Sequence, residues 1–228
     1  YRGANLKSFR AWSDLLVPFY ENPSVSIFGV RDTLPGSFPF TTREVGQETS
    51  EDTQAAPGLL REPRGVACDR AGNSVVADFS NHRVQVLAAD GSVVAAWGRK
   101  GSAPGEMQEP TDVAVGPDGS IFVADTWNGR IQVFDPGGTY LREWAGEFYG
   151  PRGIAVAPDG SVYVADTGNH RIVRFDGFGT RLAAWGTHGS APGELFEPMG
   201  LALDRAGHLV VCDSGNGRIQ IFGADGTL

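Results

Sequence analysis

One phrase returns four times along the chain: a proline, a variable residue, glycine or aspartate, an aliphatic residue and alanine, opening at Pro63, Pro110, Pro151 and Pro198. The openings are 47, 41 and 47 residues apart. A period of this size is the strongest constraint on the fold, because a unit of 40-odd residues cannot bury its own apolar face and must stack against its neighbours. Each unit runs through the same stations. In the third, an apolar segment (153–157) leads to the turn at Pro158, Asp159 and Gly160. A second segment (162–166), a loop (167–170) and a third segment (171–175) follow, and after a glycine-containing turn a fourth segment ends at Trp185. Short runs of β-branched and aromatic residues bounded by Gly, Pro and Asp read as strands. Four short strands per 40 to 47 residues read as one blade of a β-propeller.

Composition supports an all-β chain. Glycine makes up 32 of 228 residues, about twice its usual share of roughly 7%, and with 14 prolines it implies many turns between short elements. The first segment of each unit is almost wholly apolar, as expected of an innermost strand covered on both faces. The third segment of unit three mixes Arg171 and Arg174 with Ile172, Val173 and Phe175, as expected further out.

The loop between the second and third segments carries a more specific pattern: Asn81, His82, Arg83, Val84; Asn128, Gly129, Arg130, Ile131; Asn169, His170, Arg171, Ile172; Asn216, Gly217, Arg218, Ile219. With the preceding Val-Ala-Asp or Val-Cys-Asp, this resembles the NHL repeat over residues 63–228. The resemblance implies a β-propeller, commonly six-bladed. It also implies a binding or scaffold role, since such propellers serve as interaction domains, as extracellular sensor domains of bacterial kinases and as RNA binders. Some similar propellers are enzymes, amidating lyases or calcium-dependent lactonases.

Domain organisation follows from the repeats. Residues 1–39 do not repeat and read as a separate segment or linker, with a short amphipathic helix at 6–20 and a strand at 24–30. Residues 40–228 read as the propeller, with blades starting near 63, 110, 151 and 198. Arg43 to Gly46 is similar to Arg142 to Gly146, so 40–62 reads as a fourth strand plus connector. That strand either completes the last blade here or finishes a blade of a longer parent.

The net charge of −8 repels polyanions and argues against nucleic-acid partners; a protein or glycan partner fits better. No apolar run is long enough to span a bilayer, although a membrane-tethered parent is compatible with the sequence, and an extracytoplasmic setting is favoured over a cytoplasmic one. Cys68 and Cys212 occupy stations of small apolar residues in sister repeats, so two buried thiols are expected.

Asp78, Asp125, Asp166 and Asp213 recur with Arg83, Arg130, Arg171 and Arg218 five residues later. A pair present in every blade reads as architecture, because an active site is single. Trp97, Trp144 and Trp185 end fourth strands and read as packing. Binding is expected where the repeats differ, at the connectors into the first strand and the loops after the second, which share one face. The candidates are Arg64, Phe79, His82, Asp112, Trp127, Arg152, His170 and Met199, a set of cationic and aromatic groups suited to a peptide, a glycan or an anionic partner. His82 and His170 are expected to face each other across the mouth. Two histidines without a third ligand do not make a metal site, so neither a metal nor another cofactor is expected, and no catalytic triad or phosphate loop emerges.

Overall fold

The computed structural model describes residues 16–22, 25–30, 54–145 and 148–228. The chain divides into two compact units, Tyr1–Pro39 and Phe40–Leu228. In the first, β1 (Leu16–Asn22) pairs antiparallel with β2 (Val25–Val30). The strand expected at 24–30 is thus found at Val25–Val30, but the helix expected at 6–20 is corrected where it is described, since Leu16 to Tyr20 is strand. Pro18 would remove a donor from a helix interior, and Val17, Phe19 and Tyr20 suit an extended pleat. The rest of that helix and the fourth strand expected around Arg43 to Gly46 lie outside the described residues.

The second unit is an all-β propeller of four antiparallel blades. The first contains β3 (Pro63–Cys68), β4 (Ser74–Asp78), β5 (Arg83–Leu87) and β6 (Val93–Trp97). The second contains β7 (Asp112–Val115), β8 (Ile121–Asp125), β9 (Arg130–Phe134) and β10 (Tyr140–Ala145). The third contains β11 (Pro151–Val156), β12 (Val162–Asp166), β13 (Arg171–Phe175) and β14 (Arg181–Trp185). The fourth has three described strands, β15 (Pro198–Leu203), β16 (Leu209–Asp213) and β17 (Arg218–Phe222). First strands neighbour one another in chain order: β3 with β7, β7 with β11, β11 with β15.

The core is the set of interfaces between blades. Val84 and Val86 of the first blade pack with Val113, Ile121, Val123 and Phe134 of the second. Ile131 and Val133 pack with Ile154, Val164 and Val173 of the third, and Ile172 packs with Leu209, Val211 and Phe222 of the fourth. Each fully buried aliphatic side chain contributes roughly 1.5–3 kcal/mol. Each blade therefore has a trailing face turned toward the next blade and a leading face turned toward the previous one.

The tryptophans complete these interfaces. A Cβ at Gly138 would fall 2.5 Å from the Trp97 ring, at Gly179 2.9 Å from Trp144, and at Gly226 2.7 Å from Trp185. Glycine at this station supplies both a positive φ and room for the preceding blade's indole. The thiols depart from expectation. Cys68 is exposed and Cys212 half-buried, because they lie on the leading face of the first blade and the trailing face of the fourth, which no described blade covers.

Candidate functional site

In every blade a buried aspartate at the end of the second strand organises the loop face. Asp78 Oδ2 accepts from Arg83 Nε at 2.7 Å, and its Oδ1 accepts from the Arg61 amide at 2.7 Å. Asp125, Asp166 and Asp213 accept in the same way from Arg130, Arg171 and Arg218, each at 2.7 Å, and from the amides of Gln108, Tyr149 and Phe196. The guanidinium then reaches the connector entering its own blade. Arg130 donates to the carbonyls of Ser102, Ala103 and Glu106, and Arg218 to those of Ser190, Ala191 and Glu194. This buried, multiply bonded pair is a structural clamp.

A single 3-10 turn follows each aspartate and ends on a left-handed residue: His82 (φ 53°), Gly129 (φ 60°), His170 (φ 55°) and Gly217 (φ 63°). The histidines have a reason to bear this conformation. His82 Nδ1 accepts from the Glu109 amide at 3.0 Å, and His170 Nδ1 from the Glu197 amide at 3.1 Å. Both glutamates are themselves left-handed and stand just before the proline that opens the next blade. Where the loop carries Gly129, the matching connector residue is Gly150 (φ 63°).

The connectors differ in length, and that difference makes the site. Those into the second and fourth blades hold the Ser-Ala-Pro-Gly-Glu stretch, and each seats an apolar residue, Met107 or Leu195, fully buried over the blades. The connector into the third blade is six residues shorter. Phe148 takes the apolar seat, and Tyr149 rests on Gly168, whose absent Cβ would fall 2.1 Å from the Tyr149 ring. The space left open is a groove of about 390 Å³. Trp127, Tyr149, Arg152, Glu197 and Met199 are among the residues lining it. Trp127 is 64% and Tyr149 72% exposed. The Trp127 indole N–H donates to Glu109 Oε2, which fixes the ring plane. Neither the Arg152 guanidinium nor the Glu197 carboxylate has a hydrogen-bond or ion-pair partner among the described residues.

At the same junction Asp112 occupies the inner-strand station that is Gly65, Gly153 and Gly200 in the other blades. Its Oδ2 accepts from the Ile154 amide of the third blade at 2.9 Å and its Oδ1 from the Val113 amide at 2.9 Å. A Cβ at Gly65 would fall 2.3 Å from Asp112 Oδ1, so the carboxylate is wedged among three blades. Burial pushes its pKa up to about 7, against the opposing pull of the Ile154 and Val113 amides.

The structure thus gathers Trp127, Arg152 and Met199 into one groove and places the other candidates elsewhere. The Arg64 guanidinium lies 3.5 Å over the ring of Phe79, which is buried. Asp112 bridges inner strands, and His82 and His170 accept connector amides. His170 also stacks with His188, ring centroids 4.6 Å apart, and with Phe196. Among the described residues no three His, Cys, Asp or Glu side chains are grouped to hold a metal. Sequence reasoning passed over Tyr149 and Glu197, although the 41-residue interval between Pro110 and Pro151 marked the place.

The repeats match the NHL repeat at residues 60–87, 107–134, 148–175 and 197–222, and the chain is an NHL-repeat β-propeller protein. No curated protein matches it by sequence. Solved structures share the fold. A catalytically inactive virginiamycin B lyase from Staphylococcus aureus, with quinupristin, is similar at a TM-score of 0.56 and 17% identity, over 71% of this chain and 55% of that one. A streptogramin B lyase is similar at 0.55 and 15%, over 71% and 54%. A protein of unknown function from Bacteroides caccae is similar at 0.57 and 16%, over 73% and 65%. The chain spans about half the length of the two lyases.

Proposed function

We propose that this propeller is a binding module that takes a protein or glycan segment into the groove at the junction of the second and third blades. One observation carries the reading: two exposed aromatic rings, one locked by a hydrogen bond, stand beside a guanidinium that no described residue engages. Flat apolar faces favour a sugar ring or an aromatic or aliphatic side chain, with stacking of about 0.5–1.5 kcal/mol beyond area burial. Arg152 favours a carboxylate or another anionic group on the same ligand, which it can meet with two parallel donors. Groups with this division of labour orient a ligand without transforming it.

The fold-sharing lyases supply the competing reading, an enzyme. Peptide and glycan arrays probed with the full chain, followed by titration of the strongest hit, separate the two. Trp127→Ala and Arg152→Ala should each weaken binding at least about tenfold, equivalent to roughly 1.4 kcal/mol, with an unchanged melting temperature. A ligand held equally well by both variants would remove the groove from consideration. Conversion of the bound ligand, together with stoichiometric zinc or calcium in the purified protein, would favour the enzyme.

A further inference from the structure

Three of the four connectors end in a left-handed glutamate just before the opening proline of the blade: Glu62 (φ 48°), Glu109 (φ 54°) and Glu197 (φ 49°). In the first two blades the loop after the second strand supplies this carboxylate with a donor. Ser80 Oγ donates to Glu62 Oε2 at 2.7 Å, and the Trp127 indole N–H donates to Glu109 Oε2. Ser80 and Trp127 share one station, two residues beyond the clamp aspartate. In the fourth blade that station is Gly215, and a Cβ there would fall 2.6 Å from the Phe196 ring. A donor-bearing side chain does not fit at that place. The Glu197 carboxylate thus keeps the position of Glu62 and Glu109 without their loop partner, and it lines the groove with Trp127, Tyr149 and Arg152.

We propose that the groove selects a peptide segment carrying a basic and an acidic side chain, the basic one taking the place of the loop donor at Glu197 and the acidic one meeting Arg152. This rests on the groove being the binding site and narrows its ligand to one class. The two charges in the lining are opposite, and no hydrogen bond or ion pair joins them. A ligand that pairs with both is itself amphoteric. Lysine and arginine offer the N–H donors that Glu197 lacks from its own loop, and their alkyl stems and cationic heads suit the faces of Trp127 and Tyr149. A neutral glycan brings no charge to either group. An acidic glycan meets Arg152 but is opposed by Glu197 and by a chain of net charge −8. An amphoteric peptide gains complementarity at both ends.

The test is equilibrium binding of the full chain to an array of pentapeptides that carry one Lys and one Glu at every spacing. Beside them stand copies with Gln in place of either or both, and neutral and uronate-bearing oligosaccharides. Expected is a preferred spacing, with each Gln replacement in that peptide weakening binding about fivefold, as for a solvent-accessible charge pair. Glu197→Gln should make the Lys peptide and its Gln copy equivalent while keeping the preference for Glu, and Arg152→Gln should do the reverse. Glu197→Lys should favour peptides with Glu in place of Lys. All three variants should melt at the temperature of the wild type. Peptide binding that Trp127→Ala weakens and Glu197→Gln leaves unchanged would overturn the amphoteric ligand and keep the groove. Tighter binding of an oligosaccharide, again weakened by Trp127→Ala, would do the same. Binding indifferent to Trp127→Ala and Arg152→Gln alike, or no binding of any probe, would overturn the groove and this proposal with it.

Discussion

The junction between the second and third blades and the two flanking junctions solve the same packing problem differently. The flanking junctions use a long connector that folds on itself, seats Met107 or Leu195, and is pinned by a histidine accepting the amide of Glu109 or Glu197. The middle junction has a short connector, glycines at both left-handed stations, and an inner-strand aspartate that crosses to the next blade. Cohesion moves from the loop face to the axis, and the loop face is left open for a ligand. In a repeat protein, a shortened repeat can thus mark the site more clearly than any unusual residue.

The largest test of this contrast uses the clamps. Asp125→Ala removes the buried carboxylate from Arg130, whose side chain is 6% exposed and tied to a long connector, and leaves only the partly exposed Glu143 at 2.9 Å to meet its charge; this should cost about 3 kcal/mol, toward the lower end for a broken buried ion pair. Asp166→Ala should cost clearly less, because the Arg171 side chain is 23% exposed and water can take over part of the lost bonding. Urea denaturation of both variants makes the comparison, and equal costs would break it.

A smaller effect follows from Asp112. Its folded-state pKa of about 7 lies above the ordinary carboxylate value of 3.8, so the native state holds this proton more tightly than the unfolded chain. The resulting stability is fully present below about pH 4 and is lost as pH rises through 7. The stability of the wild type relative to Asp112→Asn should therefore fall between pH 4 and 7 and level off above that, measured by denaturation across the range. A flat difference would deprive the middle junction of its axial link.

The smallest effect concerns Gly129. Alanine there should cost about 1 kcal/mol for a left-handed non-glycine residue. Histidine should cost less, since the Gly150 amide stands where the Glu109 and Glu197 amides do and can donate to the imidazole. Melting temperatures of the two variants decide the point, and histidine performing no better than alanine would uncouple the loop residue from the connector.

Much of this architecture was legible in the residues. The proline openings located all four blades, the Asp and Arg stations announced a repeated clamp, and Trp127, Arg152 and Met199 were picked out because they vary where the repeats otherwise agree. The roles of His82 and His170 were not legible from the loops alone. They depend on a partner 27 residues downstream, and the pairing of His with Glu-Pro, against Gly with Gly-Pro, is visible only when loop and following connector are read together. Asp112 looked like a mouth residue because strand position does not say which way a carboxylate turns; the glycines at its sister stations were the clue that this position faces other backbones. Residues 16–20 were misread because apolar spacing outweighed Pro18.

Each clamp also changes what the peptide bond contributes to the object. Arg130 grips carbonyls on both sides of the Ser102–Ala103 linkage, and Arg218 does the same at Ser190–Ala191. A protease nick at either place leaves both fresh ends in the hold of one side chain, so the severed halves stay mated. Covalent continuity is redundant there, and these stretches are natural places to open new termini or splice in a foreign insert while the blades keep their order in space.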